Sequence, residues 1–364
     1  MSDDRIQQLR SAMGDSNVDL VALAPSDNLR YELGFSPIAD ERACLLLVSE
    51  HGQAFVVPAL NADQAAQAAP DLVAFRWKDA DGPHEAIRSP FATFDGAAFR
   101  RVAVDPEMRA DIFLTLQSFV PNAEHVSAGE LMGRLREVKS DDEIDLLRAS
   151  AHTADEAMRR ALAACRAGAT ELEVAEAAAA GFNEAGVDKV TFTIAASGPN
   201  GAFPHHHTGQ RVLEVGDAVV IDIGASRAGY ASDLTRMAFV GEPSERYREV
   251  HAIVEAAVQA AVAAARPGAT PDQIDGAARG LIEERGYGEN FVHRTGHGLG
   301  LSVHEPPWIM SGADEVLRKG TVFSIEPGIY LQGEFGVRLE EIVYLTDDGC
   351  ERFSELPRDV HIAA

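Results

Sequence analysis

The chain is short of cysteine, of basic residues and of long apolar runs. Its three cysteines, Cys44, Cys165 and Cys350, are odd in number and lack CxxC spacing. That excludes a disulfide framework and a thiolate metal site, and they read as buried free thiols in a reducing cytoplasm. Lysine and arginine total 32 against 57 aspartates and glutamates, a formal net charge of −25. Such a field repels nucleic acid and anionic membrane surfaces, so neither is an expected partner; it is compatible with a salt-adapted host. No stretch approaches the roughly 20 apolar residues of a membrane span. The segment Met1–Gln8 lacks the apolar centre of a signal peptide, so the expected location is cytoplasmic. With 46% hydrophobic and 24% charged residues, the 364-residue chain is globular rather than disordered and has room for two domains.

Strand and helix signals alternate in the first part. Ile6–Met13 has helical periodicity, Leu20–Leu23 reads as a strand, and Cys44–Val48 with Ala54–Val57 reads as a hairpin around His51-Gly52-Gln53. Val102–Val104 is a further strand ending in the turn signal Asp105-Pro106. This predicts an α/β domain to about Ser127, with no cluster of reactive residues. The helical stretch Ala128–Ala164 is interrupted at Lys139-Ser140, where Ser140 and Glu143 form a capping box. The domain boundary is placed near here, giving domains 1–130 and 131–364.

The second domain repeats itself at an offset of 100 residues. Ala161-Leu-Ala-Ala-Cys-Arg-Ala-Gly-Ala-Thr170 aligns without gaps on Ala261-Val-Ala-Ala-Ala-Arg-Pro-Gly-Ala-Thr270. In each copy a helix is expected to stop at a left-handed glycine, Gly168 or Gly268. Thr170 with Glu173, and Thr270 with Gln273 behind Pro271, then cap the next helix, which closes near Gly186 or Gly286. Two related halves about a pseudo-twofold axis could supply one central site.

Five segments of this domain present an acid or an imidazole beside an apolar run: Asp222 in Ala218–Gly224, Asp233 in Ala231–Arg236, His297 in Thr295–Gly300, Glu326 after Val322–Ile325, and Glu340 in Gly336–Val343. Singly, each acid reads as structural. A buried carboxylate loses its hydration, so four of them converging with an imidazole would be untenable without cations. Two divalent ions would stabilise the set, and oxygen-rich donors with one nitrogen suit Mn or another hard ion.

In this order, with TGHG, VHEPP, IEPG and VRLEE segments around them, Asp222, Asp233, His297, Glu326 and Glu340 resemble the pita-bread Xaa-Pro metallopeptidases, aminopeptidase P and prolidase. Asn28–Phe35 resembles the family's N-terminal domain, and Arg136–Ser140 its entry into the catalytic domain. The resemblance implies an α/β (α+β) chain. A creatinase-like N-terminal α/β domain would serve dimerisation and wall the active site, and a pseudo-symmetric pita-bread catalytic domain would follow, in a homodimer. It implies two divalent metal ions per chain, Mn first and Co or Zn as alternatives. Asp222 would bind one ion, His297 and Glu326 would hold the other or join it, and Asp233 and Glu340 would bind both; water activated between them would be the nucleophile. Glu326 would shuttle the proton. His205 would help bind and protonate substrate, and His304 would stabilise charge developing on the scissile carbonyl. His293 would either support the ligands from behind or line the substrate pocket, Trp308 would line that pocket, and Arg338 could pair with Asp233 and orient it. His206 and His207 are read as incidental, and His152 and His251 as ordinary helix residues.

The implied substrate is a proline-containing peptide, cut between its first residue and proline. Many relatives follow HEPP with arginine, resembling the group by which prolidases hold a dipeptide's carboxylate. Trp308 stands here instead and cannot make a bidentate carboxylate contact. The expectation is therefore an aminopeptidase P-like enzyme, with Xaa-Pro dipeptidase as the alternative should an arginine from another loop or subunit substitute. Hydrolysis of a small non-peptide amide and non-catalytic binding are further readings; the retention of all five positions counts against the latter.

Overall fold

The apolar runs of the first 136 residues assemble into one mixed sheet with its helices. In chain order this unit carries α1 (Ser2–Asp15), β1 (Leu20–Leu23), α2 (Asp27–Leu33), β2 (Leu45–Ser49), β3 (Gly52–Pro58), α3 (Ala62–Ala68), β4 (Ala74–Trp77), α4 (His84–Thr93), β5 (Arg101–Val104), α5 (Ala110–Phe119), β6 (Glu124–Ser127) and α6 (Gly129–Glu137). The strand order is β4-β3-β2-β1-β5-β6, and the expected hairpin is the antiparallel pair β2–β3. Every residue of β1 and β2 is buried, which is why these strands read as continuous apolar runs rather than alternating ones. The structure, a computed structural model, describes residues 2–70, 72–94 and 98–364. It divides into the units Met1–Arg136 and Glu137–Ala364.

The second unit opens at the expected capping box. Ser140 Oγ accepts from the Glu143 amide at 3.3 Å, and Glu143 Oε2 accepts from the Ser140 amide at 3.0 Å, starting α7 (Asp141–Ala164). α8 (Glu171–Glu184), β7 (Lys189–Ser197), β8 (Ala218–Arg227) and β9 (Tyr230–Val240) complete one half. α9 (Glu245–Ala264), α10 (Pro271–Glu284), β10 (Gly296–Gly298), β11 (Glu305–Ile309), β12 (Val322–Ile325), β13 (Gly328–Leu331), β14 (Phe335–Arg338), β15 (Glu341–Leu345), β16 (Cys350–Arg352) and β17 (His361–Ala363) follow. Among the described residues the sheets run β17-β9-β8-β7 and β11-β10-β12-β15-β16, with β13–β14 as a ribbon. Met158, Val174 and Phe182 of α7 and α8 pack on Val219, Ile221 and Ile223 of the first sheet. Val254, Ile274 and Ile282 of α9 and α10 pack in one core with Phe323, Ile325 and Val343 of the second. Truncating a buried phenylalanine such as Phe182 to alanine would cost about 3–5 kcal/mol.

The internal repeat is a structural one. Gly168 N donates to Leu213 O at 2.9 Å and Leu213 N to Ala169 O at 2.8 Å; Gly268 N and Leu317 N make the matching bonds to Leu317 O and Ala269 O, both at 2.9 Å. Both threonine capping boxes form, and Gly186 and Gly286 follow α8 and α10 at φ 72° and 84°. One expectation is corrected. α7 and α9 end at Ala164 and Ala264, four residues before Gly168 and Gly268, because Cys165 and Ala265 are already extended. Those glycines, at φ 87° and 90°, shape the turn that reaches Leu213 or Leu317 instead.

Candidate active site

The β8–β9 hairpin sets Asp222 opposite Thr235 and Gly224 opposite Asp233. Strand side chains alternate, so Asp222, Thr235 and Asp233 share one face and the two carboxylates are diagonal neighbours. A Cβ at Gly224 would run into the Phe192 ring and the Ser232 carbonyl, so the residue between the two acids is held to glycine. The other half supplies His297 on β10, Glu326 directly after β12, and Glu340 between β14 and β15. A Cβ at Gly296 would overlap the Ser324 carbonyl, the close approach that the small residues of TGHG allow. Fully buried Arg236 donates to the Glu340 carbonyl and, at 3.1 Å, to Glu341 Oε1, tying the backbone that presents Glu340 to β9. Ligating atoms of Asp222, Asp233 and Glu340 lie within 4.8 Å of one another; so do those of His297, Glu326 and Glu340, and those of Asp233, His297 and His304.

The cluster is electrostatically incomplete as a set of side chains. Asp222 Oδ2 accepts from Arg338 at 2.6 Å and Glu340 Oε2 from Thr235 at 2.8 Å, but among the described residues Asp222 Oδ1 and Glu340 Oε1 are buried without a donor. Burial pushes Asp222 up. Burial together with neighbouring carboxylates drives Asp233 and Glu340 well above the usual carboxylate range. Glu326 differs: burial would raise it, but the hydrogen bond and charge of His297, helped by Arg338, hold it at about 2. His297 Nδ1 lies 3.1 Å from the Gly298 carbonyl, which can only accept, so Nδ1 keeps a proton whether or not Nε2 also holds one. Nε2 then faces the acids, 3.1 Å from Glu326 Oε1 and 3.7 Å from Asp233 Oδ2. Orphaned carboxylate oxygens and one oriented imidazole are a donor set that fits two divalent cations.

These residues line a cavity of about 490 Å³ together with His205, His293, Arg294, His304 and Arg338. The His304 ring stands edge-on to His297 at 4.2 Å. Partial burial, with the charges of His297 and Arg294, pushes its pKa down to about 4, so it is neutral at pH 7 and offers an N–H donor. The strand that follows His304 is fixed by a buried ion pair, Lys139 Nζ to Glu305 Oε1 at 2.9 Å. His205 sits on the segment after the short turn Gly198–Ala202. Buried Glu171 gathers that segment by accepting from Ser197 N at 2.7 Å, Asn200 Nδ2 at 2.9 Å and His206 Nε2 at 3.0 Å. His206 is therefore an anchor of the His205 segment and not incidental.

Two other expectations change. Arg338 pairs with Asp222, not Asp233: it docks on the Asp222–Thr235 rung, where its Nε donates to Thr235 Oγ1 at 3.3 Å. Its Nη1 donates to the Tyr330 hydroxyl at 2.9 Å, and that hydroxyl donates to His293 Nε2 at 2.8 Å. His293 Nδ1 donates to the Arg294 carbonyl at 2.7 Å, so both ring nitrogens of His293 are engaged and only its ring face is left for a substrate. Trp308 pairs with His297 across β10–β11, and the cavity wall beside it is Arg294, whose guanidinium carbon lies 4.3 Å from the Trp308 ring centre. Sequence reasoning missed Thr235, Tyr330, Glu171, Arg294 and Ser324, whose hydroxyl accepts from His297 N and donates to Glu326 Oε1, both at 3.0 Å. A signal existed for Thr235, two residues from Asp233 on one strand and so on its face.

The comparisons agree with this geometry. Residues 145–347 match the model of metallopeptidase family M24, and residues 5–138 that of the creatinase/prolidase N-terminal domain. The chain belongs to metallopeptidase family M24. This M24 chain is 37% identical over 361 residues to a Mycobacterium tuberculosis protein named "Probable dipeptidase PepE", covering 98% of this chain and 95% of that one. It is similar to the crystal structure of a prolidase from Thermococcus sibiricus, with TM-score 0.93 and 34% identity over 100% and 99% of the two chains. An X-Pro aminopeptidase structure from Thermotoga maritima matches with TM-score 0.82 and 32% identity over 99% and 100%. The M24 chain thus has the pita-bread catalytic domain and creatinase-type N-terminal domain that the motifs implied, and it is a metallopeptidase.

Proposed function

We propose that the chain hydrolyses the peptide bond between an N-terminal residue and proline, using two divalent ions held by Asp222, Asp233, His297, Glu326 and Glu340. The observation that carries this is the pair of buried, donorless oxygens on Asp222 and Glu340, in a cavity that also holds His205 and His304. Bound ions would supply an acidified water and a Lewis-acid contact to the scissile carbonyl, and hard Mn suits the oxygen-rich donors. The chain's own residues do the rest. Glu326, ionised at neutral pH, takes a proton from the attacking water and passes it to the leaving proline nitrogen. Neutral His304 donates a hydrogen bond to the oxygen on which charge develops, and His205 holds the substrate from the facing segment.

Relatives named for dipeptides and a relative named for aminopeptidase action both span the whole chain, so the fold is compatible with either exopeptidase. The test is hydrolysis of Xaa-Pro, Xaa-Pro-Xaa and control Xaa-Ala peptides by metal-stripped protein, with and without Mn. Metal-dependent release of the first residue from proline peptides is the expected result. Equal cleavage of Xaa-Ala, or no cleavage of any proline peptide, would overturn the proposal.

A further inference from the structure

Two guanidinium groups line the cavity, and among the described residues only one of them is hydrogen-bonded to an acid. Arg338 is 4% exposed and committed to Asp222, Tyr330 and Thr235. Arg294 is half-buried, yet among the described residues its side chain makes no hydrogen bond and no ion pair; it stacks on the face of Trp308 and feels the Glu326 carboxylate only through space. Its backbone is pinned on both sides. Arg279 Nη2 donates to the His293 carbonyl at 2.8 Å, and the Thr295 amide donates to Asp275 Oδ1 at 3.2 Å.

A partly desolvated cation without an anion is unfavourable unless a ligand supplies one. Stacking on an aromatic face holds a guanidinium flat and leaves its edge N–H groups free, the geometry for a bidentate carboxylate. In an Xaa-Pro dipeptide the carboxylate carbon is two bonds, about 2.5 Å, from the scissile nitrogen. Its partner must therefore line the same cavity as His304 and Glu326, as Arg294 does.

We infer that Arg294, held flat on Trp308, binds the free C-terminal carboxylate of an Xaa-Pro dipeptide, and that the chain is for this reason a dipeptidase; this rests on the Xaa-Pro peptidase reading above. Trp308 is then the shelf for an arginine supplied 14 residues earlier, and the missing arginine after His304-Glu-Pro-Pro307 is not a missing function. A longer peptide presents a neutral amide at the same point and forfeits the charge-assisted pair.

The experiment compares kcat/KM for Ala-Pro, its C-terminal amide and Ala-Pro-Ala, using the Mn-loaded full chain and its Arg294→Met, Arg294→Lys and Trp308→Leu variants. The parent should prefer Ala-Pro to the amide about 10- to 100-fold, the usual range for hydrogen bonds to a charged group. Arg294→Met should bring that ratio towards one. Arg294→Lys, which keeps a cation without the fork, and Trp308→Leu, which removes the shelf, should lower it by a smaller factor. A parent ratio near one, or a parental ratio retained in Arg294→Met, would overturn the inference while leaving the peptidase reading intact. Failure of the loaded parent to cut any of the three would overturn both.

Discussion

Glu340→Gln should stabilise the metal-free protein and destabilise the manganese-loaded one. Without ions, Glu340 is a buried carboxyl, 1% exposed, whose Oε1 has no donor and whose pKa is driven up by burial and by Glu326 and Asp222. A group that binds protons more tightly folded than unfolded makes the fold less stable as pH rises past its unfolded value. Glutamine keeps an acceptor for Thr235 and removes the charge, a relief on the order of 1–2 kcal/mol at pH 8. For a unit the size of Glu137–Ala364 this is about 2–8 °C in Tm. With Mn at a hundred times Kd, each filled site contributes about 2.7 kcal/mol, and a neutral side chain among the residues that would hold the ions should forfeit at least one such contribution, about 5–10 °C. The assay is thermal unfolding at pH 8 in chelator and in excess Mn, parent beside variant. A variant destabilised equally in both conditions would mark Glu340 as an ordinary structural acid and refute the reasoning.

Lys139→Met leaves Glu305 buried without its cation and should cost about 3–5 kcal/mol in urea unfolding, with most of it recovered in Lys139→Met/Glu305→Leu; a single-variant loss below about 1 kcal/mol would contradict this. Glu32, 1% exposed and with neither oxygen hydrogen-bonded among the described residues, has a pKa that burial pushes from 4.5 to about 7 against the pull of Arg5. Its folded form holds an extra proton between those values, so stability falls as pH rises through them; Glu32→Met should gain on the parent across that window, by up to about 3 kcal/mol, and a pH-independent difference would be against it. His304→Ala should lower kcat with two ions still bound by elemental analysis; loss of metal would make His304 a ligand, as its place beside Asp233 and His297 also allows.

What could be read in the sequence was local. Capping boxes at Ser140, Thr170 and Thr270 need only residues three apart, and all three form. The five candidate ligands were visible because each interrupts an apolar run, and the structure brings them together. What escaped depends on pairings far apart in the chain. Arg338 meets Asp222 across 116 residues and Glu171 meets His206 across 35, and no spacing rule links either pair. Trp308 was read as a lost carboxylate contact unless an arginine from another loop or subunit replaced it, and no spacing rule points to Arg294, which the fold stacks upon it. Gly168 and Gly268 were given the right backbone conformation and the wrong task, because a left-handed glycine serves a turn as readily as a helix end.

The central claim is that two cations on this carboxylate cluster make the chain an Xaa-Pro peptidase, and titrating metal-stripped protein with Mn while following release of the first residue tests it most directly. Activity on Xaa-Pro peptides should be absent at zero metal and rise to a plateau at two ions per chain. Full activity in chelator, or no proline-peptide cleavage with both ions bound, would contradict it.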